Sequence, residues 1–108
     1  KCMAAAPVTV FITHPEGRSL REDWSAAEKI HELSDVQSIG AAAENMALMA
    51  AEMGIGSVWN GNILFAYDEL KNWLDAGEMV LAMSFGYPAH HPSPLNRKKE
   101  EDVIEIRR

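Results

Sequence analysis

Gln37-Ser38-Ile39-Gly40-Ala41-Ala42-Ala43-Glu44-Asn45-Met46-Ala47-Leu48-Met49-Ala50-Ala51-Glu52-Met53-Gly54-Ile55-Gly56-Ser57-Val58-Trp59 is the stretch on which the fold turns. From Ser38 to Met53, apolar residues occupy nearly every face of a 3.6-residue repeat. That pattern predicts a helix buried on most sides, not one laid on a surface. Its alanines permit close approach of neighbouring elements. Ser34-Asp35-Val36-Gln37, just upstream, fits a capping box, with a hydroxyl accepting from an early N–H while the Gln reaches back. The helix is therefore expected to start there and to end at Gly54, which supplies a left-handed residue. Ser57-Val58-Trp59-Asn60-Gly61-Asn62 then reads as a short strand leading into a loop.

Upstream of this stretch, Val8-Thr9-Val10-Phe11-Ile12-Thr13 lies between Pro7 and His14-Pro15-Glu16-Gly17 and reads as a strand closed by Pro and Gly. Arg18 to Ser34 is strongly charged and weakly helical, with Trp24, Ile30 and Leu33 as its larger apolar residues. It is expected to be a short helix or an ordered excursion.

Downstream, Asp68 and Glu69 suit the positive end of a helix that runs through Leu70, Trp73 and Leu74 and stops at Gly77. The continuous apolar run Met79 to Tyr87 has the length of a central strand. Pro88, Pro92 and Pro94 then impose an extended path. The chain closes with Arg97-Lys98-Lys99, Glu100-Glu101-Asp102 and a partly alternating Val103-Ile104-Glu105-Ile106. That last tetrad suits an edge strand on this subunit or on a neighbour. The order strand, helix, strand, helix, strand, tail describes one mixed α/β domain with a helical layer.

The 108 residues are enough for one domain. A net charge of −6 argues against nucleic acid or an anionic membrane surface as the main partner. No apolar run approaches the ~20 residues of a membrane span, because Glu44, Asn45 and Glu52 interrupt the alanine-rich stretch. Cys2 is the only cysteine, so no intrachain disulfide forms, which fits a reducing cytoplasm. Nothing at the start resembles a signal peptide. Lys1-Cys2-Met3-Ala4-Ala5-Ala6 reads like the end of a helix, so the sequence is expected to open in mid-domain.

Several segments invite a functional reading. Gly54-Ile55-Gly56 follows a helix, and Trp59 stands where a dinucleotide fingerprint needs its third glycine. A helix stop and tight turn therefore fit better than a Rossmann loop. Asn60-Gly61-Asn62 admits two readings, an ordinary Asn-Gly turn or a turn that brings backbone and an amide side chain against a ligand. Arg97-Lys98-Lys99 is either a phosphate clamp or a solvated run screened by the acidic residues after it.

His90-His91 lacks companions at ligand spacing, so no metal site is expected. Ser19, Ser84 and Cys2 sit in no nucleophile context, and hydrolase chemistry has no support. The methionines read as packing. Of the tryptophans, Trp73 falls at helical spacing with Leu70 and is expected in the core, while Trp59 is the best candidate to line or stack on a planar ligand.

These segments together resemble the nitroreductase family. Gln37 to Ala42 with Glu44-Asn45-Met46, Ala50-Ala51 and Gly54 to Trp59 is similar to the family's central helix and following strand. Phe65-Ala66-Tyr67-Asp68-Glu69-Leu70 with Trp73-Leu74 looks like its next helix. Phe85-Gly86-Tyr87-Pro88, Pro92, Pro94, Arg97-Lys98 and Glu101 to Ile104 resembles its closing strand and tail. The likeness runs from about Pro7 to the end. It implies an α+β fold with a mixed sheet flanked by helices, and a homodimer whose C-terminal tail adds a strand to the partner's sheet. It also implies FMN at the subunit interface and hydride transfer from NADH or NADPH to a nitroaromatic, a quinone or a similar small acceptor.

Carried over by position, Trp59, Asn60 and Gly61 would face the flavin ring near its reactive nitrogen, and Arg97 and Lys98 would hold the phosphate. The flavin carries the chemistry, so no side chain is expected as catalytic acid or base. Arg18 to Ser34 would shape substrate access, with Trp24 and His31 as candidates there. The family's Arg-Arg-Ser-x-Arg-type segment has no counterpart in this sequence. The 108 residues are therefore expected to be the C-terminal part of a single domain. A non-catalytic dimerising or binding module that keeps this part of the fold is the alternative.

Overall fold

The computed structural model describes residues 2–19, 21–90 and 93–107. A short helix, α1 (Cys2–Ala5), precedes strand β1 (Val8–His14). The long helix α2 (Ala26–Glu52) leads to β2 (Gly56–Asn60). A 3-10 helix (Gly61–Ala66) runs directly into α3 (Tyr67–Leu74), and β3 (Glu78–Gly86) completes a three-stranded sheet of order β1-β3-β2. Both pairings are antiparallel, and the apolar run 79–87 forms the central strand, as expected. The class is α+β. Among the described residues after β3 there is no further helix or strand apart from a 3-10 turn at Glu100–Asp102.

The described residues 103–107 pair with no strand of this chain. Pro92 lies outside the described residues.

The start of α2 differs from the sequence expectation. The helix begins at a capping box about two and a half turns earlier, with Ser25 as N-cap and Glu28 reaching back to it. Ser25 N donates to Glu28 Oε2 at 2.8 Å, and Glu28 N donates to Ser25 Oγ at 3.3 Å. Two hydroxyl-x-x-Glu/Gln patterns thus occur in tandem, and the first one wins because Ala26 to Leu33 is rich in good helix formers. Ser34 becomes an interior residue, its Oγ donating to Ile30 O at 3.0 Å. The described residues of the excursion from Arg18 to Ser34 are therefore a short non-helical stretch followed by about two and a half turns of the same helix.

The other end follows the expectation. Gly54 has φ +73°, Gly54 N donates to Ala51 O at 3.0 Å and Ile55 N to Ala50 O at 2.8 Å. These two bonds make a Schellman motif.

The helix is not buried on most sides. Among the described residues of α2 only Ala43 and Ala50 are buried, while Ile30, Leu33, Leu48 and Met49 are exposed. A line of alanines is narrow enough to lay α2 flat on the sheet, and the larger apolar residues consequently project elsewhere.

The sheet carries apolar packing on both faces. Ala43, Leu81 and Met83 form one cluster with Ile12 and Val80; Ile63, Met79 and Ala82 form the other with Phe11, Leu70 and Leu74. Met79 and Val80 are consecutive and so take opposite faces, but Val80 and Leu81 share one. The register explains this: Ile12 pairs with Leu81 and Thr13 with Met79, so Val80 is an extra residue in a β-bulge that resets the alternation. Met83, with no exposed surface, is the largest side chain fully enclosed among the described residues; its burial stabilises the fold by roughly 2 kcal/mol.

Helix α3 ends earlier than Gly77. Asp75, at φ 46°, is its left-handed cap, with its N–H on Lys71 O. Gly77 (φ +88°) serves the following turn, where a Cβ would lie 2.6 Å from Pro15 Cα. Among the described residues no helix is long and apolar enough to cross a membrane.

Candidate functional site

The end of β2 places the candidate residues. Trp59 pairs with Met83 and Asn60 with Ala82 across β3. Opposed residues in an antiparallel pair share a face. Asn60 therefore lies on the α3 face, and the Trp59 side chain lies on the α2 face. Gly61 opens the 3-10 helix, and the chain wraps back through Ile63 to α3.

The wrap borders an open cavity of about 790 Å³ with Val58, Asn60, Gly61, Ile63, Leu70 and Trp73 in its wall, and Trp59 also borders it. Given its register, Trp59 meets this space by its backbone more than by its ring.

Asn60 is oriented from below. Its Nδ2 donates to Ser84 Oγ at 2.8 Å and to Val58 O at 3.4 Å, and Ser84 Oγ lies 3.2 Å from Thr9 Oγ1. A polar chain thus crosses all three strands. Ser84 is 2% exposed, so its hydroxyl satisfies two neighbours in a place where an unpaired one would be costly. The Asn60 carboxamide oxygen carries no hydrogen bond among the described residues.

Sequence reasoning set Ser84 aside as a nucleophile and missed it as a partner of Asn60. The available signal was the one serine inside the otherwise apolar run 79–87.

Trp73 is not a core residue. It is 69% exposed and meets the Phe11 ring edge-on, centroids 5.6 Å apart. Leu70 and Leu74 supply the packed face of α3 instead. The helix is anchored by its first residue: buried Tyr67 donates its hydroxyl to Glu78 Oε2, while Lys71 Nζ donates to Glu78 Oε1. Glu78 is 6% exposed, so this carboxylate is buried with both oxygens satisfied.

A flavin-sized ring suits this cavity in two respects. Its volume falls in the usual range for ligand sites. A Cβ at Gly61 would meet nothing within 4 Å, so the wall is open beside Asn60. The phosphate finds no such provision, since Glu69 is the one charged side chain in the wall among the described residues.

Arg97 and Lys98 are exposed in the tail and do not line the cavity. Trp24 lines a separate cavity of about 420 Å³ with Leu33, Val36 and Val80. His31 lines a smaller cleft with His14. Neither reaches the Asn60 cavity. Among the described residues no group of three or more His, Cys, Asp or Glu is placed to hold a metal ion; His91 lies outside them.

No curated protein matches the chain. Compared with known families, residues 1–87 match the description "Nitroreductase family". That match spans all three strands and the whole of the Asn60 cavity, so the chain belongs to the nitroreductase family, a family of oxidoreductases.

Proposed function

We propose that this chain serves an FMN-dependent oxidoreductase that takes a hydride from NAD(P)H and delivers it to a nitroaromatic, a quinone or a similar small acceptor. The observation that carries this reading is the cavity at the end of β2, where an oriented carboxamide oxygen stands beside an open glycine in an otherwise mainly apolar wall. Asn60 and the backbone of Trp59 and Gly61 would hold the ring edge. Ile63, Leu70 and Trp73 would exclude water from its face. FMN, when bound, supplies the two-electron relay between donor and acceptor.

Arg97 and Lys98 would neutralise the phosphate, reaching it from the tail of this subunit or of its partner in a homodimer. The exposed Val103 to Ile106 segment would add a strand to the partner's sheet.

Adding FMN to the full chain and recording its visible spectrum tests the reading. A perturbed flavin band is expected, weakened when Arg97→Ala and Lys98→Ala are combined. An unperturbed band would overturn the reading, and unchanged affinity in the double variant would overturn the phosphate assignment. The second reading, a non-catalytic dimerising module, is favoured by the exposed apolar residues of α2 and by the lack of a cation in the cavity wall among the described residues. It predicts a stable oligomer that leaves FMN unperturbed.

A further inference from the structure

The amide of Asn60 is not free to turn over. Val58 O only accepts, so the group facing it at 3.4 Å is the NH2 of the carboxamide. The same nitrogen donates to Ser84 Oγ at 2.8 Å. Ser84, having accepted from Asn60, has its own proton available for Thr9 Oγ1 at 3.2 Å. Flipping the carboxamide would set its oxygen against the Val58 carbonyl, whereas the Ser84 hydroxyl, able to donate or to accept, tethers the group in either sense. The carbonyl disfavours the flip, and the hydroxyl that tethers the carboxamide beside it is buried in the central strand. The carboxamide oxygen is then a polar atom without a partner among the described residues, on a side chain that lines the cavity.

We propose that Ser84, braced by Thr9, is a positioning residue that fixes the Asn60 carboxamide with its oxygen toward the cavity, so that the site selects a planar ring presenting an N–H donor at its edge. This rests on the flavin reading above for the identity of the ring, since the isoalloxazine edge carries one N–H between two carbonyls. It does not rest on it for the orientation of Asn60.

Two measurements on the full chain separate the two claims. The first uses no flavin: the side-chain amide signals of Asn60 in a nitrogen–proton correlation spectrum, assigned by their loss in Asn60→Asp. Ser84→Ala should shift them toward those of a solvated asparagine, Ser84→Thr should hold them near the native position, and Thr9→Val should shift them less than Ser84→Ala. The second uses FMN as the probe, beside an FMN analogue methylated at the ring N–H. Ser84→Ala should lower FMN affinity about fivefold, the worth of one ordinary hydrogen bond, and shrink the preference for FMN over the methylated analogue; Ser84→Thr should restore both.

Asn60 signals unmoved in both Ser84→Ala and Thr9→Val would overturn the positioning role, whether or not FMN binds. Moved signals with unchanged FMN affinity and preference would overturn the donor selection. If the native chain binds no FMN, the flavin reading and the donor selection fail together, and the amide signals alone decide the positioning role. If Ser84→Ala does not fold, Thr9→Val provides the same comparison.

Discussion

Helices α2 and α3 both pack on β3, yet they are held by opposite means. Over its 27 residues α2 buries only two alanines, and its ends are fixed locally, by the Ser25–Glu28 box at one end and the Gly54 Schellman turn at the other. In α3, eight residues long, neither end has a side-chain cap. It is fixed by tertiary contacts: Tyr67 and Lys71 on buried Glu78, Leu70 and Leu74 in the core, Trp73 against Phe11. A length that sustains its own hydrogen-bond ladder needs little from the sheet, whereas two turns are marginal alone. The cavity forms beside the helix whose position depends on the sheet.

The comparison breaks most severely at the narrow seam of α2. Ala43 has no exposed surface and sits against Leu81 and Met83, whereas its neighbour Ala42 is exposed. Ala43→Leu should lift the helix off the sheet and cost up to about 3 kcal/mol. Ala42→Leu should be nearly neutral. Equal effects of the two in chemical denaturation would show that the seam does not hold α2.

At α3 the corresponding test is Tyr67→Phe, which keeps the ring and leaves one Glu78 oxygen buried without its donor. A loss of about 2 kcal/mol is expected. Because α3 carries one wall of the cavity, ligand affinity should fall with it, whereas capping changes at α2 should leave affinity alone. Ser25→Ala should cost only about 1 kcal/mol; a larger loss, or a change in affinity, would mean that the start of α2 is coupled to the site.

The strands were legible because their signals are local. The apolar run to Phe85 and the Pro-bounded Val8 to Thr13 segment need no partner to be recognised. The two helix errors share a cause, which is that tertiary context decides between local options. Ser25-x-x-Glu28 and Ser34-x-x-Gln37 are equivalent patterns in sequence, and whether apolar faces of α2 are covered is set by what lies near them in space. Trp73 at core spacing is displaced because Leu70 and Leu74 already fill the seam beneath α3. At the site, Asn60 and Gly61 were read from their residue types, but Ser84 lies 24 residues from Asn60, and only the strand register brings them together. Arg97 and Lys98 follow from family likeness alone, and no contact within the described chain draws them to the cavity.

The smallest effects come from pH, and they distinguish the two helices by sign. Hydrogen bonds from the Ser25 side chain and backbone, helped by Arg18, hold the Glu28 carboxyl below its ordinary 4.5. A depressed pKa means that the folded state prefers the charged form. Its contribution is complete above about 4.5 and fades as pH falls through the lowered value. The hydrogen bond to Glu78 raises the Lys71 ammonium above its ordinary 10.5. Its contribution is complete below that range and is lost as pH climbs through the raised value. Acid therefore loosens the start of α2, and strong alkali loosens α3. Both groups are substantially exposed, so solvent keeps the effects small. Melting temperatures measured across pH should show Ser25→Ala flattening only the acid limb and Lys71→Met only the alkaline one. If either variant flattened both limbs, the two helices would be stabilised through one shared network, contrary to the separate local and tertiary anchoring seen here.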